Sequence, residues 1–368
     1  MRKILKGALA LVTSAFFFGS AQAELEISGY FQQIVGMGDD TTGGITHEFD
    51  RINFSGSTTT DNGWTVTGVL QHEPTLDRTA APTTLHMTVS NNLGTLAIGH
   101  TMDAVSFTIG RVAAMVPGGG IDAGFQYLFS GAVTQGDRGV KFGEAYYAMN
   151  GARVLYSPPS INGINVKVSY TPSQDYNTMA ARGRSTNGGV GQNHQETLEA
   201  AASYSGEMEG IGYSIAVGSK NGNGIASFGN TGNDLQVITG SIKLTHGDFT
   251  VGYHMYDNGD SFGKSDDNTK ASSDGQNIAL TYNMGNVTLG VGWGEMEAVN
   301  GTAYNTAIGH DSASHVRSTN ITHMGIGYNL GGGVNTFLQL SDFDINDGDA
   351  ATTEVSPQVI YAGINVGF

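Results

Sequence analysis

Short runs of alternating apolar and polar residues recur along most of the chain after residue 23. In the last run, Ile360, Ala362, Ile364 and Val366 alternate with small or polar residues before Phe368. Successive side chains of a β-strand point to opposite faces, so this period of two predicts a strand with one apolar face. Comparable runs occupy 64–71, 85–90, 164–171, 249–256, 277–284 and 287–294. The sequence therefore predicts an all-β protein.

The connections between the predicted strands are alternately very short and long. The short links are 61–63, 91–94, 246–248, 284–286 and 331–333, and the long polar connections include 173–196, 219–234, 258–274 and 297–316. A two-sheet sandwich has the same alternation within its strands but does not require this asymmetry of connections. Regular alternation of short turns and long loops is typical of a transmembrane antiparallel up-and-down β-barrel.

Sixteen strands are predicted, at 24–36, 47–59, 63–73, 83–91, 94–101, 151–158, 163–172, 197–206, 211–219, 235–246, 248–257, 276–284, 286–296, 317–329, 334–343 and 356–368. An even number of strands brings both ends of the chain to the periplasmic side of the membrane. Sixteen strands enclose an aqueous lumen, whereas side chains fill a barrel of eight. We expect a single barrel domain over 24–368.

The first 23 residues have the features of a cleaved secretory signal peptide. Arg2, Lys3 and Lys6 precede a short apolar run over 7–18, and small residues stand at 21 and 23. Without those three bases, 14 basic residues remain against 33 acidic ones, a formal net charge of −19. So acidic a chain is a poor candidate for binding nucleic acid, whose affinity depends on neutralising phosphates.

Several kinds of chemistry are disfavoured. The chain has no cysteine, which excludes disulfides and thiol catalysis. Its ten histidines show no metal-binding spacing, and no nucleophile-elbow motif is present. The acidic run 342–349 resembles a calcium loop, but its glycine comes one residue late and Thr353 replaces the expected acid. We therefore expect no enzyme activity, no cofactor and no dedicated metal site.

The third long connection, 102–150, is less polar than the others, with Val105, Phe107, Val112 and Met115 among its apolar residues. A loop of this composition is poorly placed in bulk water, and long structured loops are usually functional. Packing it inside the barrel would bury its apolar side chains and narrow the lumen.

The chain resembles the Gram-negative general porin family. The matching stretches are 28–31, 62–66, 71–73, 93–99, 156–158, 162–164 and 361–368. The resemblance implies a sixteen-stranded homotrimer in the outer membrane, with the third outer loop folded into the lumen. It also implies contact with membrane lipid and lipopolysaccharide, and a closing segment read by the barrel-assembly machinery, with Phe368, Val366 and Ile364 as its signal.

The third loop departs from the family pattern. At 116–120 it keeps the proline and glycines but lacks the acid and aromatic residue that precede them in the family. If the family's transverse field is kept, its acidic side must come from elsewhere in the loop: Asp103, Asp122, Asp137 or Glu144. Strand parity supplies lumen-facing bases for the opposite wall: Arg51, Arg153, Lys167 and Lys243.

The resemblance and the residues favour a channel for passive diffusion of ions and small hydrophilic solutes, with a moderate cation preference because of the net negative charge. Two alternatives remain. A substrate-specific channel would line its lumen with aromatic residues or clustered bases. A secreted adhesin or β-solenoid would need a repeat of short fixed period, which the chain does not show.

Overall fold

The structure is a computed structural model that describes residues 24–38, 43–46, 50–72, 82–110, 112–120, 151–173, 194–224, 226–227, 230–231, 233–261, 273–300, 315–346 and 356–368. The expected signal peptide over 1–23 lies outside them. No helix in these ranges is long and apolar enough to cross a membrane.

The described strands and one helix follow in chain order. They are β1 (Glu24–Gly38), β2 (Gly44–Thr46), β3 (Arg51–Thr59), β4 (Thr65–His72), β5 (Pro82–Asn91), β6 (Gly94–Thr101), α1 (Ala104–Thr108), β7 (Gly151–Ser157), β8 (Ile164–Ser173), β9 (His194–Met208), β10 (Ile211–Gly224), β11 (Ala226–Ser227), β12 (Asn230–Thr231), β13 (Leu235–His246), β14 (Phe249–Asp257), β15 (Ser273–Met284), β16 (Val287–Asn300), β17 (His315–Gly331), β18 (Val334–Asn346) and β19 (Gln358–Gly367).

Sixteen of these strands form a closed antiparallel barrel. Each long strand pairs with the next along the chain, and β1 pairs with both β3 and β19. The last residue completes the closure, because the backbone of Phe368 exchanges two hydrogen bonds with Gly29, of 2.9 and 3.0 Å. The predicted fold class is confirmed. The short strand β2 is an addition beside β1, and β11 and β12 form a separate small hairpin.

The two faces of the strands have the polarity that the period of two predicts. On the outer face, Val154 and Tyr156 are 40% and 42% exposed, and most other large apolar residues of this parity are exposed as well. Such a band of apolar side chains is the surface that a barrel presents to lipid. Inward positions carry threonine, serine, glycine and glutamine, many of them buried.

The main differences from the predicted boundaries occur at the ends opposite the short turns. β9, β10, β16 and β18 each extend three to five residues further than predicted at that end. Those extensions are mostly polar, with Val299 and Ile345 as their only large apolar residues, so they resemble loops in sequence although they continue the hydrogen-bonded ladder.

Candidate pore-lining site

The chain leaves β6 and turns into the barrel instead of running over its outer surface. Helix α1 begins there because Asp103 caps it: its Oδ1 accepts a 2.8 Å hydrogen bond from the Ser106 amide, and its Oδ2 accepts one of 2.8 Å from the Ser106 hydroxyl. We call residues 103–120 without the undescribed 111 the inner segment. Three of its apolar side chains, Val105, Val112 and Val116, are at most 1% exposed, whereas Phe107 is 44% exposed.

A cluster of four buried charged side chains holds the start of the inner segment. Lys220 Nζ lies 3.0 Å from Asp103 Oδ2, and the Arg153 guanidinium lies 3.5 Å from the same oxygen and 3.4 Å from Glu199 Oε2. All four side chains are fully buried. The Ser169 hydroxyl also donates to Glu199. Two basic side chains face two acidic ones, and such pairing offsets the large cost of burying charge.

The same hydroxyl fixes the backbone of the inner segment, because the Ala104 amide donates to Ser169 Oγ over 2.9 Å. Burial alone would raise the pKa of the Asp103 carboxyl. The charges of Lys220 and Arg153 and the hydrogen bonds from Ser106 outweigh burial, so its pKa lies below the ordinary aspartate value. Asp103 is therefore held as a carboxylate.

The far end of the inner segment is held by side chains of β18 and β19. Gln339 makes two hydrogen bonds with Gly120, accepting from its amide at 3.0 Å and donating to its carbonyl at 2.9 Å. The Tyr361 hydroxyl donates to the Gly118 carbonyl over 3.2 Å. Gly118 has φ +101°, which disfavours other residues, and a Cβ there would lie 2.6 Å from Gln339 Oε1. We call the contacts of Gln339 and Tyr361 with Gly120 and Gly118 the glycine clasp.

Between its two ends the inner segment contacts other strands. The Gly110 amide donates to Ser241 Oγ of β13 over 3.1 Å. Lys167 Nζ lies 4.8 Å from the centre of the Phe107 ring, a cation–π distance. Lys243 is also close, since a Cβ on Gly110 would lie 3.4 Å from its Cε. The segment thus follows the inner wall from β8 to β19.

The structure places the predicted site residues in three groups. Asp103 and Arg153 are brought together, but their side chains are fully buried and do not line the open part of the lumen. Lys167 and Lys243 are half-buried beside the inner segment, and Arg51 is half-buried on β3. Asp122, Asp137 and Glu144 lie outside the described residues.

Sequence reasoning did not select Lys220, Glu199, Ser169 or Gln339. Glu199 has the lumen-facing parity of β9, between the outward Leu198 and Ala200, and so carried a usable signal. Lys220 lay one residue beyond the predicted end of its strand. In the described residues, no group of three or more histidine, aspartate or glutamate side chains is placed to hold a metal ion. Of the calcium-like run, Asp342 and Asp344 lie on β18.

A closed barrel with an apolar outer band and a polar lumen, narrowed from within, defines a transmembrane pore of the outer-membrane type. The chain belongs to the Gram-negative porin family, whose model matches residues 7–349. It is therefore a porin of the Gram-negative outer membrane, as the resemblance implied. No curated protein matches the chain.

Solved structures share the fold at low sequence identity. An anion-selective porin from Comamonas acidovorans has a TM-score of 0.64 and 12% identity, over 94% of this chain and 100% of that one. In vitro folded OmpT of Vibrio cholerae, in its trimer form, has a TM-score of 0.62 and 12% identity, over 94% and 99%. A mutant of the Rh. blastica porin has a TM-score of 0.59 and 18% identity, over 94% and 100%.

Proposed function

We propose that the chain forms a water-filled channel through which ions and small hydrophilic solutes diffuse passively across the outer membrane. The observation that carries this proposal is the inner segment, anchored at Asp103 and again at the glycine clasp. A chain fixed against one wall of a sixteen-stranded barrel narrows the lumen without filling it. Width and wall charge then determine selectivity, and the process requires no cofactor and no turnover.

We expect a moderate preference for cations. The net charge of −19 over 24–368 attracts them. The basic and acidic side chains of the buried cluster pair with one another and add little to the field in the lumen. Arg51, Lys167 and Lys243 are partly exposed bases and oppose the preference. Asp122, Asp137 and Glu144 keep their proposed place on the acidic side of the constriction.

A zero-current potential measured across a planar bilayer under a salt gradient tests this selectivity. The permeability ratio of potassium to chloride should exceed one at low salt and decline at high ionic strength, because salt screens the wall charges. Arg51→Gln should raise the ratio. A wild-type channel that prefers chloride at low salt would contradict the charge assignment.

We further propose that the channel is a homotrimer, as is the trimer form of in vitro folded OmpT of Vibrio cholerae. Its outer surface would contact membrane lipid and lipopolysaccharide, and the segment ending in Phe368 would be read by the barrel-assembly machinery. A closed ladder has no free edge for detergent to open. The unboiled protein should therefore migrate on a detergent gel as an oligomer, and equal migration with and without boiling would contradict this assembly.

A further inference from the structure

Four inward-facing glycines lie directly beneath the inner segment, one on each of four barrel strands. They are Gly218 on β10, Gly252 on β14, Gly290 on β16 and Gly325 on β17. Their chain neighbours have outward parity: Val217, Val291 and Met324 are among the exposed apolar residues of the lipid face. We call these four positions the glycine seat.

The first two positions of the glycine seat contact side chains of the inner segment. A Cβ added at Gly218 would lie 3.0 Å from Val105 Cγ1. At Gly252 it would lie 2.5 Å from Met115 Sδ and 3.0 Å from Val112 Cγ2. The 2.5 Å distance at Gly252 is shorter than real Cβ contacts, and the 3.0 Å distances are tighter than most of them, so an added methyl group requires the facing side chains of the inner segment to give way.

The other two positions contact the proline and its neighbour. A Cβ at Gly290 would lie 2.7 Å from Pro117 Cδ and 3.1 Å from Val116 Cα, and at Gly325 it would collide with the Pro117 carbonyl oxygen. Gly327, also on β17, is less crowded, with its Cβ 3.1 Å from Pro117 Cβ. The seat thus follows the segment from helix α1 almost to the glycine clasp.

We propose that the glycines of this seat are positioning residues that set the width of the pore. By carrying no side chain they let the inner segment lie against the wall, and any added atom moves the segment toward the axis of the barrel. This inference rests on the proposed channel function. It assigns pore width to wall residues that themselves carry no charge and need not touch the solute.

The test is the single-channel conductance of a graded series of alanine variants in planar bilayers. Gly218→Ala and Gly327→Ala should lower the conductance, and Gly290→Ala should lower it more, because its added Cβ lies closer to the segment. The largest neutral sugars that pass the wild type should then be excluded in liposome-swelling assays. Gly68→Ala is the matched control, because it lies on the outer face with no atom within 4 Å of its Cβ.

A second-site change separates displacement of the segment from general damage. In Gly218→Ala, the further change Val105→Ala removes the Cγ atoms of the segment that face the methyl group added to the wall. The conductance should then return toward the wild-type value. Partial relief is expected when Met115→Ala is combined with Gly252→Ala, because the 3.0 Å contact with Val112 Cγ2 remains.

Unchanged or increased conductance in heat-modifiable Gly218→Ala and Gly327→Ala variants would overturn the inference, as would a decrease that Val105→Ala does not relieve. If one of these two variants does not assemble, the other carries the test, since both have contacts of 3.0 Å or more. Failure of this inference is distinct from failure of the proposed function. If the proposed function is wrong, the wild-type protein itself does not conduct.

Discussion

The ammonium group of Lys220 lies 3.0 Å from Asp103 Oδ2, across 117 residues of sequence, and both side chains are fully buried. This ion pair ties the loop that follows β6 to the wall strand β10. Removing one partner of a buried pair leaves the other charge uncompensated, which typically costs about 3–5 kcal/mol.

Lys220→Met should therefore lower the free energy of unfolding by about that amount. The inner segment should also lose its fixed position, which predicts greater noise in the open-channel current. Guanidinium titration in detergent and single-channel recording measure the two effects. Lys243→Met, which removes a half-buried lumen lysine outside the cluster, should have a much smaller effect on stability. Equal stability losses in both variants would contradict the anchoring role.

The charge of Asp103 makes its stabilisation dependent on pH. Its pKa in the folded protein is below the ordinary value, because Lys220, Arg153 and Ser106 outweigh the effect of burial. The stabilisation is fully present above the ordinary aspartate pKa of about 3.9. It is lost as the pH falls through the lower pKa that Asp103 has in the folded protein. The difference in unfolding free energy between wild type and Asp103→Asn should thus shrink only in strong acid. A difference that already vanishes at pH values well above the ordinary aspartate pKa would contradict this.

The glycine clasp should depend on the amide of Gln339. Gln339→Ala leaves the buried peptide groups of Gly120 without their partner, at a cost of about 1–3 kcal/mol. Tyr361→Phe should cost less, since it removes one hydrogen bond and keeps the ring that packs edge-on against Phe337. Gln33→Ala, on the outer face of β1, is the control. Thermal unfolding in detergent ranks the stabilities of these variants. Equal unfolding midpoints for Gln339→Ala and Gln33→Ala would contradict a stabilising role of the clasp.

Phe368 combines a structural contact with a proposed assembly signal. Its ring stacks on Phe31 with the centroids 5.7 Å apart, and its backbone pairs with Gly29 at the barrel seam. Phe368→Ala keeps the backbone bonds, so molecules that assemble should unfold at nearly the wild-type temperature. The amount reaching the outer membrane should fall sharply. Phe249→Ala, which removes another exposed stacked ring, should not reduce it. Equal outer-membrane levels of Phe368→Ala and the wild type would contradict the proposed assembly signal.

Much of the barrel could be predicted from the sequence because each strand position has its face set locally by the period of two. β6 and β13 were predicted with the observed boundaries, 94–101 and 235–246. The course of the third loop inside the barrel was expected, but its contacts were not. Ser169 lies 65 residues from Ala104 and Gln339 lies 219 residues from Gly120, and no local pattern encodes such pairings.

The candidate site was predicted less well for a related reason. Parity correctly placed Arg153 on the inner side of β7, yet parity alone does not separate a wetted lumen residue from one covered by a loop. The inward glycines of β10, β14, β16 and β17 also resembled ordinary small residues of a polar face. Their importance follows from the segment that covers them, which no single strand reveals.

The single-channel conductance of the purified protein in planar bilayers tests the central claim most directly. We expect discrete current steps whose size rises with the conductivity of the bathing salt, and larger steps for an assembled variant lacking residues 104–120. Absence of steps, or equal steps with and without those residues, would contradict a water-filled pore narrowed by the inner segment.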